Sequence, residues 1–272
     1  MDQQKFEFVT KLLKDRSGLV LSVDKAYLIE SRLAPIAKKY GHATTDYLID
    51  RLRDGRDEAL AHEITDAMTT NETFFFRDGK PFDFFRQTLI PALADSRSQT
   101  RSLRVWCAAA STGQEPYTLA MILREELKRL PDWKLEIVAT DISTESLARA
   151  RMGRYSQFEV QRGLPIQLLV KYFKKQDEMW EISPEVRSMV DFRSFNLLMP
   201  FASLGRFDVV FCRNVLIYFD IPTKTDILNR MSRQMADDAH LFLGGAETVL
   251  GITERFKALS GERGVYQVNG RP

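Results

Sequence analysis

The strongest constraint on the fold is a change of hydrophobic rhythm at about Ser102. From there short apolar runs such as "LRVWCAA", "KLEIVATD" and "FDVVFC" alternate with amphipathic stretches such as "TGQEPYTLAMILREE". Strands that alternate with helices over this length favour a parallel sheet covered on both faces by helices. We therefore predict an α/β fold with a doubly wound, Rossmann-like sheet, which ends in the strand "AHLFLGGAE" and a closing hairpin.

The chain up to about Thr70 has a different pattern, with helical periodicity and no convincing strand. Its first helical stretch is predicted to end at Gly18 as a C-cap, and Asp24 is predicted to cap the second. Pro35 lies inside that second stretch, so we expect a kink or break near Ala34. The segment is predicted to be a small all-α domain that precedes the sheet.

The strand–helix alternation is interrupted between Arg154 and Asn196, where "DEMWEISPEVRSMVDFRSFN" is typical of short strands. We interpret it as a small β-subdomain inserted at about 155–195.

Composition excludes several classes of protein. The net charge is only +2, which is too small for a general nucleic-acid or membrane binder. Cys107 and Cys212 are the only cysteines, and they form neither a disulfide scaffold nor a metal-binding pattern. The N-terminus has no signal-peptide core, and no apolar run reaches the roughly 20 residues that span a bilayer. We expect a cytoplasmic monomer without a metal site, nucleic acid or membrane insertion.

The ends of the first two predicted strands indicate a ligand site. Small residues follow the first strand in "CAAASTG", but Gly113 is the only glycine there, so a dinucleotide fingerprint is absent. Asp141 ends the second strand, where it could bind a ribose diol or cap the next helix. Glu115 is either a first-turn acid or a ligand group. Both carboxylates suit S-adenosylmethionine better than the phosphates of NAD, which favours a methyltransferase over a dehydrogenase.

Five motifs in order, "TTNETFFFR", "VWCAAASTGQEPYTLAM", "ATDIS", "FNLL" and "FDVVFCRNVLIYF", resemble the chemotaxis receptor methyltransferases, the CheR family. The resemblance runs nearly end to end. It implies a helical domain at 1–70, a linker carrying cofactor-site residues at 71–95, and a methyltransferase domain at 96–272 with an inserted β-subdomain at about 155–195. It also implies transfer of a methyl group from S-adenosylmethionine to glutamate side chains of methyl-accepting chemoreceptor signalling domains, with S-adenosylhomocysteine as product.

The resemblance assigns roles to individual residues. Arg77 and Tyr218 are implied to line the methyl-transfer site. The implied cofactor contacts are Asn71, Thr73, Arg77, Glu115, Asp141, Asn196, Leu197, Cys212, Arg213 and Asn214. Arg77 sits within a run of phenylalanines, and its other interpretation is a residue at the rim of a core helix.

The resemblance also implies that cationic residues of the second helix, Lys25, Arg32 and Lys38, dock the acidic receptor helices. The alternative is an ordinary solvated helix face. Some family members bind a pentapeptide at the receptor C-terminus through the β-subdomain. The compact hairpin here lacks the extra glycine-rich loop, so we predict a pentapeptide-independent enzyme. Two further alternatives remain: a methyltransferase of another small-molecule or protein substrate, and a non-catalytic cofactor-binding signalling module.

Overall fold

The computed structural model describes residues 2–55, 57–126 and 129–270. The chain divides into two compact units. One contains the chain up to Thr70 together with Tyr218–Lys224, and the other contains Asn71–Ile217 and the chain from Thr225 onward. The domain bounds drawn from the sequence, whose outer ends at 1 and 272 lie outside the described residues, stay a prediction.

The first unit is a bundle of helices, as its periodicity predicts. Among its described residues the α-helices that lie wholly within the unit are α1 Gln3–Ser17, α2 Ala26–Lys39, α3 Asp46–Asp54 and α4 Glu58–Met68. Their apolar faces form one core, in which Val9, Leu13, Ile29, Leu33 and Ile64 are fully buried. Helix α1 ends as expected at Gly18, whose φ of 78° lets its N–H reach the Lys14 carbonyl at 2.9 Å.

Two expectations for helix α2 are wrong. The helix continues through Pro35 to Lys39 rather than breaking near Ala34. Pro35 is exposed, so water can satisfy the carbonyl one turn earlier that a proline cannot bond, while packing of the opposite face holds the helix. Asp24 is not the N-cap, because it lies inside a 3-10 turn, Val23–Lys25, that precedes the helix.

The second unit is built around the predicted sheet. In the described residues this sheet has seven strands in the order β6-β2-β1-β7-β8-β10-β9, and the first five of these are mutually parallel. Strands β9 and β10 add the closing antiparallel hairpin. The strands are β1 Ser102–Cys107, β2 Lys134–Asp141, β6 Val190–Ser194, β7 Phe207–Cys212, β8 Met235–Leu243, β9 Phe256–Ala258 and β10 Val265–Val268. The doubly wound α/β prediction is confirmed.

The remaining elements cover this sheet or form the insertion. The helices are α5 Lys80–Phe84, α6 Ile90–Ser96, α7 Gln114–Glu125, α8 Thr144–Met152, α9 Gln157–Gln161, α10 Ile166–Tyr172, α11 Pro184–Arg187 and α12 Ile221–Arg233. Strands β3 Arg154–Ser156, β4 Phe173–Gln176 and β5 Met179–Ile182 form a separate antiparallel sheet in the order β3-β5-β4. The last strand of the interrupted stretch, β6, instead joins the large sheet beside β2.

Phenylalanines from the segment before β1 anchor that segment to the sheet. Phe82 stacks on Phe211 of β7 at 5.8 Å, and Phe85 meets the same ring edge-on at 5.7 Å. Phe211 stacks in turn on Phe242 of β8 at 4.3 Å. These buried contacts fix the segment that carries Arg77. Across the described ranges, every helix is too short or too polar to cross a bilayer.

Candidate functional site

The loops that follow four parallel strands are hydrogen-bonded to one another at the carboxyl edge of the sheet. The Ala108 N–H donates to the Phe211 carbonyl at 2.8 Å, joining the ends of β1 and β7. The Phe195 N–H donates to the Asp141 carbonyl at 2.9 Å, joining the ends of β6 and β2. Ligands of doubly wound sheets bind at this edge, so the predicted site residues on these loops share the expected location.

Asp141 lies at the centre of these connections. Its carboxylate accepts hydrogen bonds from the Ser111 N–H at 2.7 Å and the Ser143 N–H at 2.9 Å. The N-cap of α8 is Ser143, whose hydroxyl oxygen accepts from the Ser146 N–H at 3.1 Å. The Asp141 carboxylate, for its part, ties the first loop to the second.

The loop between β1 and α7 packs tightly against side chains of α8 and β3. A Cβ on Gly113, where φ is 97°, would lie 3.0 Å from both the Ala150 Cβ and the Tyr155 hydroxyl. That hydroxyl donates to the Thr112 carbonyl at 2.9 Å. The only glycine of this loop is thus required both by its conformation and by the lack of space.

A buried arginine joins the first loop to the loop after β7. Arg213 donates to the Glu115 carboxylate at 2.7 Å and to the Asp78 carboxylate at 2.6 Å. It also donates to the Arg77 carbonyl at 3.0 Å. The Arg213 side chain is only 1% exposed, and its Nε is buried without a hydrogen-bond partner among the described residues. Orphaned buried donors of this kind are commonly satisfied by a ligand or by water.

Burial shifts the ionisation of three groups in this region. It raises the pKa of the Glu115 carboxyl, and the Arg213 guanidinium opposes that shift. Burial also raises the pKa values of the Cys107 and Cys212 thiols well above the usual range. Both thiols are therefore neutral at physiological pH, which rules them out as nucleophiles or bases in the folded protein.

Arg77 is half-buried on the segment that leads into α5. Its guanidinium donates to the Glu72 carbonyl at 2.8 Å and lies 5.5 Å from the centre of the Phe74 ring. Arg162 of the insertion contacts the same ring at 4.3 Å and pairs with the Glu72 carboxylate at 2.8 Å. The segment is therefore clamped by the insertion, and Arg77 is not a residue at the rim of a helix.

Other predicted residues lie on the segment before α5 and on the loop after β6. The Asn71 carbonyl accepts from the Ser111 hydroxyl at 2.7 Å, and Thr73 is half-buried two residues later. The Asn196 side-chain oxygen accepts from the Leu198 N–H at 3.0 Å. Leu197 is buried, and its carbonyl accepts from Arg230 at 2.8 Å.

Four of the seven non-glycine residues with positive φ in the described ranges lie on the strand-end loops or on the segment before α5. Non-glycine residues with positive φ include Phe76 at 52°, Asp78 at 69°, Ser111 at 49° and Asn214 at 59°. Each such conformation costs free energy and persists only where its surroundings fix it. Their grouping on loops that hold predicted site residues is typical of a functional site.

Sequence reasoning missed Glu247, which organises the loop after β7. Its carboxylate accepts from the backbone N–H groups of Asn214 at 2.7 Å, Gly244 at 2.6 Å, Val215 at 3.0 Å and Ile217 at 3.3 Å. The only signal in the sequence is its position after two glycines at a strand end. Two glycines at a strand end predict a turn, but they do not predict that the glutamate after them accepts hydrogen bonds from distant backbone amides.

Tyr218 and the predicted docking residues belong to the first unit. The Tyr218 carbonyl accepts from the Val20 N–H at 2.9 Å. Lys25 and Lys38 are exposed. Arg32 is half-buried and donates to the Met68 carbonyl at 2.6 Å, the Thr69 carbonyl at 2.9 Å and the Thr70 hydroxyl at 2.9 Å. The three cations thus do not form one solvent-facing stripe, because Arg32 caps the end of α4.

The arrangement suits an adenosyl cofactor. Asp141 and Glu115 are carboxylates at the strand ends, where hydroxyl or ammonium groups would find acceptors, and small residues at Ala108 and Ala110 allow close approach to the backbone. The orphaned Arg213 Nε is a further donor at the same edge. Within the described ranges, no three His, Cys, Asp or Glu side chains are grouped as metal ligands would be.

Two family models match the chain. Residues 71–265 match the SAM-binding domain of CheR methyltransferases, and residues 4–69 match the all-alpha domain of the same family. A chemotaxis protein methyltransferase of Pseudomonas putida is 39% identical over 267 residues, covering 96% of this chain and 97% of that protein. Chemotaxis protein methyltransferase 1 of Pseudomonas aeruginosa is 40% identical over 264 residues, covering 96% of each chain.

A more distant relative extends this similarity beyond one genus. The chemotaxis protein methyltransferase of Vibrio parahaemolyticus is 35% identical over 268 residues, covering 97% of this chain and 96% of that protein. The fold, the strand-end loops and these matches agree over nearly the whole chain. S-adenosylmethionine is the cofactor, and the chain belongs to the CheR methyltransferase family.

Proposed function

We propose that this protein transfers the methyl group of S-adenosylmethionine to glutamate side chains of chemoreceptor signalling domains, forming γ-methyl esters. The observation that carries the proposal is its similarity to chemotaxis methyltransferases across both units. The linked strand-end loops around Asp141 and Arg213 support it. We further propose that the enzyme acts as a monomer in the cytoplasm, where it would modulate chemosensory adaptation.

The acceptor needs little chemical activation. A glutamate carboxylate with a pKa of about 4.3 is already ionised at neutral pH, so no general base has to remove a proton. The histidines are consistent with this, because His42, His62 and His240 all lie outside the site loops. The protein's task is to align the acceptor oxygen with the methyl group and to exclude water.

Arg77 and Tyr218 are proposed to line the methyl-transfer site. Transfer converts a carboxylate and a sulfonium into an ester and a thioether, so charge disappears in the reaction. A cation that gripped the acceptor too strongly would stabilise the ground state and slow transfer. The guanidinium of Arg77 already donates to the Glu72 carbonyl. It is therefore suited to orient the acceptor carboxylate without binding it too strongly. The Tyr218 hydroxyl supplies a neutral hydrogen bond.

The bound cofactor supplies the methyl group on a sulfonium, and residues of the strand-end loops are proposed to hold it. Asp141 and Glu115 would accept from its hydroxyl and ammonium groups, and Asn196 and Leu197 would lie against its base. The remaining proposed contacts are Asn71, Thr73, Arg77, Cys212, Arg213 and Asn214. Cys212 can act only as an apolar neighbour, because burial keeps its thiol neutral.

We propose that receptor recognition does not require a C-terminal pentapeptide. Strands β4 and β5 are joined by just two residues, Asp177 and Glu178, which leaves no additional loop at this end of the small sheet. Lys25 and Lys38 are proposed to contact the acidic receptor helices. An immobilised receptor C-terminal peptide should not retain the enzyme, whereas retention at low-micromolar concentration would overturn this part of the proposal.

The reaction is tested by incubating the enzyme with methyl-labelled cofactor and purified receptor signalling domains. The expected result is label on the receptors that is released as methanol at alkaline pH, because carboxyl esters are base-labile. Receptors whose candidate glutamates are replaced by alanine serve as the control and should remain unlabelled. Label that resists base, or no label on any receptor despite tight cofactor binding, would contradict the proposal.

A further inference from the structure

The loop after β7 depends on a single carboxylate 30 residues away in the sequence. Glu247 is only 9% exposed, and each of its oxygens accepts two hydrogen bonds. Oε2 accepts from the Asn214 and Gly244 N–H groups, and Oε1 accepts from the Val215 and Ile217 N–H groups. Four bonds are about the full accepting capacity of a carboxylate. The side chain therefore acts wholly on the backbone.

These amides belong to a stretch of chain with little regular structure to satisfy them. Asn214 has a φ of 59°, a conformation that non-glycine residues rarely adopt, and it follows directly after the end of β7 and Arg213. Buried N–H groups require acceptors, and a strained residue requires neighbours that fix it. The Glu247 carboxylate is the acceptor for these N–H groups and also the neighbour that holds Asn214 in its conformation.

Gly244 shows how closely this arrangement is packed. A Cβ at that position would lie 2.6 Å from the Asn214 Nδ2 and 2.8 Å from the Glu247 Oε2. Both distances are shorter than real contacts of a Cβ, so any larger residue would displace the Asn214 side chain or the carboxylate. Asn214, Gly244 and Glu247 thus form one interlocked cluster, which we call the turn clamp.

We propose that Glu247 is a positioning residue for methyl transfer, which acts by holding the turn from Asn214 to Ile217 in one conformation. The turn continues directly into Tyr218, since Leu216–Tyr218 forms a 3-10 turn. The clamp therefore fixes the backbone that follows Arg213 at the end of β7. The inference rests on the proposed function, because its catalytic test measures receptor methylation.

The carboxylate itself is required, and not just a side chain of that size. In Glu247→Gln, one oxygen remains an acceptor, but the –NH₂ group faces two N–H donors and cannot accept from them. Two of the four amides then lose their hydrogen-bond acceptor, and the backbone of the turn becomes more mobile. Glu247→Asp keeps both oxygens on a shorter side chain and should recover part of the effect.

The catalytic test compares Glu247→Gln, Glu247→Asp and Glu254→Gln, the last an exposed glutamate without a role in the site. We expect Glu247→Gln to lower kcat by about 10-fold or more, because small misplacements of reacting groups have large effects on rate. The Kd for S-adenosylhomocysteine should rise by a smaller factor than kcat falls, because Asn214 is one of several proposed cofactor contacts. Glu247→Asp should lie between, and Glu254→Gln should match the wild type. Unchanged kcat in Glu247→Gln overturns the inference.

A second measurement is independent of the substrate. Amide hydrogen exchange of residues 213–219 should be at least about 10-fold faster in Glu247→Gln, because exchange reports local opening. If the wild type methylates no receptor but this exchange difference is present, the proposed function fails and the positioning role survives. If the exchange is unchanged, the positioning role fails whatever the substrate. Should Glu247→Gln not fold, Gly244→Ala, which crowds the same clamp, is expected to give the same loss of kcat, and normal kcat there overturns the inference.

Discussion

Arg213 donates a hydrogen bond to Glu115 across 2.7 Å in the interior of the second unit. The two side chains come from the loop after β7 and the start of α7, so the pair locks two parallel strand ends together. Removing one partner of a buried ion pair leaves the other charge without compensation, which is far more costly than losing an exposed pair. This bond is therefore a structural element, in addition to the cofactor contacts proposed for both residues.

We expect Arg213→Met to lower the free energy of unfolding by about 3–5 kcal/mol, since it strands the Glu115 carboxylate. Urea unfolding monitored by fluorescence measures this. The control is Arg193→Met, which removes an exposed pair with Asp191 and should cost less than about 1 kcal/mol. Equal losses in the free energy of unfolding would show that the buried pair contributes no more to stability than the exposed pair.

Asp141→Asn should weaken binding of S-adenosylhomocysteine by about 10- to 100-fold, because hydrogen bonds to a charged group contribute about 1.5–3 kcal/mol. The amide –NH₂ would also face the Ser111 or Ser143 N–H group, each now bonded to a carboxylate oxygen. Isothermal titration calorimetry measures the affinity. Asp132→Asn, at an exposed turn, is the matched control. Wild-type affinity in Asp141→Asn would remove this residue from the cofactor site.

Arg77→Ala should lower kcat/KM by about 100-fold or more, in the range found when an oriented donor is removed from an active site. Tyr218→Phe removes a single neutral hydrogen bond and should lower it by about 10-fold. Initial rates of receptor methylation measure both changes. Arg233→Ala and Tyr27→Phe, at exposed positions, should retain the wild-type rate. A full rate in Tyr218→Phe would restrict its role to packing.

The cations of α2 should divide into two kinds. Lys38→Gln is expected to raise KM for the receptor several-fold at low ionic strength, with the difference shrinking as salt screens the attraction. Arg32→Gln should instead lower the free energy of unfolding by about 1–3 kcal/mol, because it removes donors from three groups at the end of α4. Steady-state kinetics against salt and urea unfolding separate the two effects. A stability loss in Lys38→Gln, or none in Arg32→Gln, would reverse this division.

His240 should make stability depend on pH. Burial lowers the pKa of its imidazole, although nearby Asp238 opposes the shift. Below the unfolded pKa of about 6.5, the unfolded chain binds a proton that the folded chain resists, so stability falls as pH falls. The slope from this group is at most about 1.4 kcal/mol per pH unit. His240→Gln should flatten the decline between pH 7 and pH 5 when the free energy of unfolding is measured at each pH.

Residue patterns predict the parts of this fold that depend on local rules. The apolar run in "KLEIVATD" predicts β2, whose last five residues are buried, and Gly18 ends α1 because few residues adopt positive φ. Asp141 is identifiable from the sequence as a candidate, and is still a proposed cofactor contact, because strand ends are where such sheets bind ligands. These inferences use the sequence within a few residues of the feature.

Features that depend on contacts between residues far apart in the chain could not be predicted from the sequence. Helix α2 passes through Pro35 because its buried face outweighs one missing hydrogen bond, a balance set by tertiary packing. Strand β6 looks like the rest of the insertion until its pairing with β2 is known. Glu247 acts on backbone amides, and no side-chain pattern records which amides lack a partner.

The order of strands also bears on how the protein emerges from the ribosome. Strand β2 is complete at Asp141, yet the neighbour that covers its outer edge, β6, begins only at Val190 after the whole insertion. Throughout that interval a nascent chain presents an apolar, unpaired edge, which invites association with other chains. Slow translation across the insertion should therefore increase dependence on chaperones, a cost that follows directly from placing the small sheet between two adjacent strands.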